Sequence, residues 1–125
     1  MKLLLDTHSL VWALQDSGDL SVRARQALQS ADVWVSVASL WELLLKKNRR
    51  GALVGDPAPW WDEYVMEAGL QIMGIQNRHV LALDQLPDHH SDPFDRILVA
   101  QALSEGCSLV TQDRALKQYG VEIVW

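Results

Sequence analysis

Four acids stand out by type and by place: Asp6, Glu42, Asp95 and Asp113. Asp6 directly follows Lys2-Leu3-Leu4-Leu5, which reads as a buried strand. Asp113 comes shortly after Ser108-Leu109-Val110, another short apolar run. Asp95 opens a helix that feeds the second of those strands, and Glu42 lies about two turns into the helix after Val33-Trp34-Val35. In an open parallel sheet the carboxyl ends of the strands share one edge, and ligands bind in the crevice outside it. Four carboxylates gathered there repel one another, and without a counter-charge at least one has a raised pKa. A hard divalent cation removes that cost, and an all-oxygen donor set suits Mg²⁺ or Mn²⁺ rather than Zn²⁺. Such an ion lowers the pKa of bound water and braces a phosphoryl oxygen, so the set points to metal-assisted hydrolysis of a phosphate ester. Asp92 stands close by with a less defined part.

Each acid also has a plainer reading. Asp6 and Asp113 are good helix N-caps for the segments that follow them. With Asp92 as cap, Asp95 falls at the third helical position, where a carboxylate completes a capping box and favours the helix dipole. Glu42 has Ala38 and Leu45 on its face, which point inward, and Ser39 and Lys46 beside it, which point to solvent. An exposed Glu42–Lys46 pair at helical spacing is worth only about 0.3–0.5 kcal/mol. Taken singly, the plain readings win; the coincidence of four acids at one expected edge reverses the balance.

The elements that must place these acids follow from the pattern of apolar residues. Leu10, Val11 and Leu14 fit a helix face, Ser17-Gly18-Asp19 is a break, and Ser21 caps a helix carrying Ala24, Ala27 and Leu28. Val33 to Val35 is a second strand, and Ser36 or Ser39 caps the helix that runs through Glu42 to Lys46, Lys47, Arg49 and Arg50. Gly51 to Pro59 reads as a loop, and Trp60 to Ala68 as a helix ended by Gly69. Leu70 to Ile75 is a third strand, Val80 to Leu83 a short helix, and Leu86 to Ser91 a loop. Asp92 then caps a helix with Pro93 at its first position, running from Phe94 to Ser104 and ended by Gly106. Ser108 to Val110 is a fourth strand, Ala115 to Tyr119 a last helix, and Val121 to Val124 a last strand. Strands alternating with helices give an α/β fold with a mainly parallel sheet of about five strands flanked by helices. Trp12, Trp34 and Trp41 are expected in the core, whereas a helix cannot bury both Trp60 and Trp61 on one stripe, so one of them is expected at a partner surface.

Composition sets the outer bounds. The 125 residues, 49% of them hydrophobic, suit one packed domain over 1–125. No apolar run is long enough to span a bilayer and the start of the chain does not read as a signal peptide, so a cytoplasmic protein is expected. Cys107 is the sole cysteine and reads as a small core residue. The formal net charge of −5 argues against a protein that coats nucleic acid through bulk charge. Lys46 to Arg50 is the one local basic cluster, read as a solvated helix end that can also touch phosphates. The histidines lack zinc-ligand spacing and read mainly as loop and packing residues, with His8 and His90 near the acids.

Taken in order, Leu4-Leu5-Asp6-Thr7-His8, Ser39-Leu40-Trp41-Glu42, His90-Ser91-Asp92-Pro93-Phe94-Asp95-Arg96 and Leu109-Val110-Thr111-Gln112-Asp113 resemble the PIN domain. Within it they are most similar to the VapC-type toxins of toxin–antitoxin pairs. The resemblance covers essentially the whole chain and is most specific at Asp92 to Arg96. It implies a three-layer α/β/α domain whose acidic set is Asp6, Glu42, Asp95 and Asp113, with Asp92 in a supporting place. Thr7 and Thr111, beside the acids, are expected to orient them or to bind metal-bound water. It further implies Mg²⁺- or Mn²⁺-dependent cleavage of RNA by metal-activated water, leaving a 5′-phosphate. A homodimer is implied too, neutralised by a cognate VapB-type antitoxin whose C-terminal segment lies over the site. A haloacid-dehalogenase-type phosphatase needs a second Asp where His8 stands. A phosphate-receiver module needs paired acids at the first strand and a Lys after the last, and Lys2 and Lys117 are poorly placed for it. No Gly-x-x-x-x-Gly-Lys is present for a P-loop enzyme. A catalytically inactive interaction domain stays open as an alternative.

Overall fold

A computed structural model describes residues 1–125. One five-stranded sheet runs through it in the order β3-β2-β1-β4-β5, and every neighbouring pair is parallel. The strands are β1 (Lys2–Leu5), β2 (Asp32–Ser36), β3 (Gln71–Met73), β4 (Ser108–Val110) and β5 (Ile123–Val124). The helices are α1 (Thr7–Leu14), α2 (Val22–Ser30), α3 (Val37–Lys46), α4 (Pro57–Trp60), α5 (Asn77–Ala82) and α6 (Pro93–Glu105). The chain order leaves β1 in one direction through β2 to β3, then returns to its other side with β4 and β5. The switch in direction therefore falls between β1 and β4, where an open α/β sheet has its crevice.

Alternation along the strands divides the core into two layers. Leu4 and Leu109 face one way, onto Ile97, Leu98 and Val99 of α6 and onto Leu116 and Tyr119. Leu3, Leu5, Val35 and Val110 face the other, onto Leu10 of α1, Ala24 of α2, Trp61 and Val65. Cys107 is buried in the first layer, as its apolar setting suggested. Helices thus cover both faces, the arrangement an all-parallel sheet requires.

The departures from the sequence reading have local causes. Helix α4 begins at Pro57, inside the segment read as a loop, because Pro57 supplies a ready-made first helical position after Asp56. A π-helical turn, Trp61–Val65, continues it, so the helix starts and stops earlier than Trp60 to Ala68. Strands β3 and β5 are shorter than expected, and Ala115 to Tyr119 belongs to a 3₁₀ helix, Arg114–Tyr119. Trp41 is 57% exposed rather than in the core, with its ring edge-on to Phe94 at 5.0 Å. Trp12 and Trp34 are half-buried. Trp61 is buried and Trp60 half-buried, so the helix does not bury both fully, as its narrow stripe required, and the exposed apolar side chains here are Tyr64 and Met66.

Candidate active site

The site forms where β1 and β4 end side by side. The Asp6 N–H donates to the Val110 carbonyl at 3.0 Å, extending the pairing by one residue and fixing Asp6 against the end of β4. Asp6 then caps α1, with Oδ1 accepting from the Ser9 N–H at 2.8 Å. Asp92 caps α6 by accepting from the Phe94 N–H at 2.9 Å, which puts Asp95 one turn inside, next to Asp92 and over the same hollow. Asp113 caps the 3₁₀ turn after β4, accepting from the Ala115 N–H at 3.0 Å. The capping readings are therefore correct for Asp6, Asp92 and Asp113, and they do not compete with a site. A cap uses one carboxylate oxygen and leaves the other free to face the crevice.

Asp6, Glu42, Asp92, Asp95 and Asp113 all line one cavity of about 430 Å³, together with Thr7, His8, Lys46 and Gln112. None of the nine is hydrophobic, and Lys46 is the sole lysine or arginine among them. Glu42 is 6% exposed, so the plain reading of an exposed glutamate fails. Its Oε1 accepts from the Thr7 hydroxyl at 2.6 Å and its Oε2 pairs with Lys46 Nζ at 2.5 Å. Ser39, one turn before Glu42, is buried, and its hydroxyl donates to Thr7 Oγ1 at 3.0 Å, since the Thr7 proton is given to Glu42. Ser39 and Lys46 looked like markers of a solvent face because they are polar. Ser39 is buried instead, and Lys46 stands half-exposed at the rim of the cavity, paired with Glu42. Thr111 does not line the cavity; it is buried behind it, and its hydroxyl accepts from the Asp113 N–H at 3.1 Å.

His90 belongs to the site more fully than its loop position suggested. Its Nδ1 accepts from the Asp92 N–H at 3.1 Å, so the ring proton sits on Nε2. That nitrogen lies 3.0 Å from Asp113 Oδ2 and 3.7 Å from Asp95 Oδ2. His90, Asp95 and Asp113 bring one ligand atom each within 4.8 Å of one another, close enough for a single ion. With Nε2 protonated, the two carboxylates are the donors of this group and His90 holds Asp113 in place. Asp6 and Glu42 line the same cavity outside that close trio. The loop carrying His90 gave no periodic signal, and only its place just before Asp92 pointed toward the acids.

The electrostatics bear the mark of crowded carboxylates. Burial, then the charges of Asp92 and Asp6, push Asp95 up to about 7. Burial also raises Asp6, against the opposing hydrogen bonds of Thr111 and Ser9. The hydrogen bond to Glu42 raises Lys46, which therefore keeps its positive charge in the cavity. These shifts fix a pH dependence for the protein without bound cation. A carboxylate whose folded pKa exceeds its unfolded value stabilises the fold at low pH and loses that contribution as pH rises through the folded pKa. The window for Asp95 runs from 3.8 to about 7, and at about 1.4 kcal/mol per pKa unit the loss is roughly 4 kcal/mol. Urea titrations in chelator should show stability from this group falling between pH 4 and 7, and Asp95→Asn should flatten that fall. An unchanged slope in the variant would show that Asp95 does not titrate there.

The donor set fits a hard divalent cation. Carboxylates converge on a cavity that no hydrophobic residue lines, and their mutual repulsion is what such an ion relieves. No thiol and no second free imidazole nitrogen is present to favour zinc.

An all-parallel α/β domain with five carboxylates gathered at its topological switch point is the class that fold and site define together. The family follows from comparison with known proteins: the PIN domain model matches residues 3–122, and the chain belongs to the PIN domain family. It is 30% identical over 119 residues to Ribonuclease VapC22 of Mycobacterium tuberculosis, covering 94% of this chain and 91% of that protein. Similar folds occur in VapBC2 from Rickettsia felis bound to a promoter DNA fragment (TM-score 0.71, 16% identity, 98% of this chain and 97% of that one). FitAcB from Neisseria gonorrhoeae is also similar (TM-score 0.69, 18% identity, 97% and 95%). So is DNA-bound VapBC from Salmonella typhimurium (TM-score 0.67, 20% identity, 98% and 96%).

Proposed function

We propose that this protein is a metal-dependent endoribonuclease toxin of the VapC type, acting as one domain over residues 1–125 and held in check by a VapB-type antitoxin. The observation that carries the reading is the convergence of Asp6, Glu42, Asp95 and Asp113 on one cavity without hydrophobic residues at the sheet's switch point, in a chain 30% identical to a ribonuclease. Asp95 and Asp113 would hold Mg²⁺ or Mn²⁺ most directly, with Asp6 and Glu42 completing the acidic set. The ion would supply activation of water at neutral pH and charge stabilisation for the phosphoryl oxygens.

The chain's own groups have separable parts in this reading. Thr7 fixes the Glu42 carboxylate from below, and Ser39 fixes Thr7. Thr111 and His90 fix Asp113 from two sides. Lys46 carries a positive charge at the rim, suited to receive a phosphate of the substrate. The raised pKa of Asp95 supports the reading because it reflects burial first and then the neighbouring charges of Asp92 and Asp6. The direct test is incubation with RNA and analysis of the product ends: 5′-phosphates support hydrolysis by this route, and 2′,3′-cyclic phosphates would overturn it.

The antitoxin reading draws on the relatives and on this chain's surface. The solved structures above include VapBC complexes. On α3, Trp41, Leu44 and Leu45 are exposed at helical spacing, and Tyr64 and Met66 are exposed beyond α4. Exposed apolar groups of this kind next to an acidic cavity suit a partner segment with both apolar and basic residues. We expect such a segment to cover the groove between α3 and α4 and to direct an Arg or Lys at the acids. Hydrogen exchange on the co-purified pair should show protection of residues 37–46 and 57–66, and a pair without that protection would refute this location. The reading includes a homodimer, to be checked by light scattering.

A further inference from the structure

We propose that a second hollow, the cleft lined by Arg23, Arg114, Lys117, Ile123 and Trp125, holds the phosphate backbone of single-stranded RNA beside the acidic cavity. The inference rests on the ribonuclease reading and names where the substrate lies. The cleft measures about 150 Å³ and brings Arg23 of α2 together with Arg114 and Lys117 of the 3₁₀ helix after β4. All three side chains are exposed, and none makes a salt bridge or a side-chain hydrogen bond. Elsewhere this acidic protein pairs its cations: Arg25 with Asp16, Lys46 with Glu42 and Arg78 with Glu105. Lys47, Arg49 and Arg50 also lack partners, but they line no cavity. Three like charges held together without a counter-ion repel one another, and a polyanion relieves that cost.

Two further features select RNA over an acidic peptide. Trp125 lines the cleft, and its ring packs at a tilt against Trp12, 5.9 Å between centroids. A fixed indole among cations is a stacking platform for a nucleobase, which a run of acidic side chains would not use. The cleft also lies at the right edge. Trp125 follows the carboxyl end of β5, which is paired in parallel with β4, and Arg114 is the next residue after Asp113. Consecutive residues, Asp113 and Arg114, thus line the two hollows. A strand with its scissile phosphate over the acids continues with its neighbouring phosphates over the cations. The acidic cavity repels a phosphate backbone, so an adjoining basic cleft supplies the attraction that the overall charge of −5 does not.

The test is binding of a fluorescein-labelled, random-sequence single-stranded RNA to full-length protein carrying Asp95→Asn, with and without R23Q/K117Q, over a range of salt. Arg114 is left intact because it adjoins Asp113. Each phosphate contact contributes about 0.7 to the slope of log K against log salt for a single strand, so the double substitution should lower the slope by roughly 1.4 and weaken binding at low salt. In protein with Asp95 intact, R23Q/K117Q should leave the effect of Mg²⁺ on melting temperature unchanged, which separates the cleft from the acidic site. An unchanged slope and affinity overturns the cleft while leaving the ribonuclease reading standing. Loss of antitoxin co-purification with RNA affinity intact assigns the cleft to a protein partner and overturns the proposal. No RNA cleavage by the wild-type protein overturns the ribonuclease reading, and the cleft with it.

Discussion

Asp95→Asn should abolish RNA cleavage in a protein that remains folded, while Asp92→Asn should retain appreciable activity. The two acids sit three residues apart at the start of α6, and a purely structural account would treat them alike. Their surroundings differ. Asp92 accepts the Phe94 N–H and ends the helix, a task asparagine performs nearly as well, so its amide should cost little stability. Asp95 caps nothing; it lies in the acidic cavity, 3.7 Å from His90, and bears the largest burden of like charge. Replacing it removes a favourable helix-dipole contact of roughly 0.3–1 kcal/mol. It also removes the repulsion that raises its pKa, so above pH 7 the metal-free variant should melt higher than the wild type. Substituting groups that merely orient metal ligands costs about 10–100-fold, so loss of a ligand should reach or exceed the upper figure, and Asp92→Asn should stay near or below the lower. RNA cleavage by both variants, with melts in chelator and in Mg²⁺, decides the matter. Full activity in Asp95→Asn would remove it from the site, and equal collapse in both would promote Asp92 to a ligand.

Mg²⁺ or Mn²⁺ should raise the melting temperature and be required for cleavage, and EDTA should reverse both effects. An ion that binds only the folded state stabilises it by RT ln(1 + [L]/Kd), about 2.7 kcal/mol at one hundred times Kd. For a domain of this size that corresponds to roughly 10 °C. The rise should be larger at pH 8 than at pH 5, because protons and the cation compete for Asp95 across the window around 7. Asp95→Asn should blunt the rise, whereas R23Q/K117Q should leave it intact. Undiminished cleavage in chelator would eliminate the metal mechanism, and a Ca²⁺-like stabilisation without cleavage by any divalent ion would favour the inactive interaction domain.

The sequence by itself determined the layout. Short apolar runs closed by Asp6 and by Thr111-Gln112-Asp113, with helices between them, require an alternating α/β chain. The Asp92-Pro93 start and the Gly106 stop of α6 are local chemistry that no packing overrides; Gly106 takes φ 69°, where a side chain would be strained. The ordered motifs sufficed to mark the family. What local patterns misjudged was direction. Ser39 and Lys46 pointed the face of Glu42 toward solvent, and only the coincidence of four acids turned Glu42 to the site; Glu42 and Ser39 are in fact buried, and Lys46 pairs with Glu42 from the rim. Trp41 read as core because aromatic was taken to mean buried, yet it is exposed on the surface beside the cavity. Helical spacing fixes which residues share a face and says nothing of what that face meets. Only tertiary structure decided that β1 and β4 lie side by side, that His90 reaches Asp113, and that Arg23, Arg114, Lys117 and Trp125 share one cleft. The physical reason is common to all three: these contacts join residues distant in sequence, and the sheet order that brings them together carries no signal in any one segment.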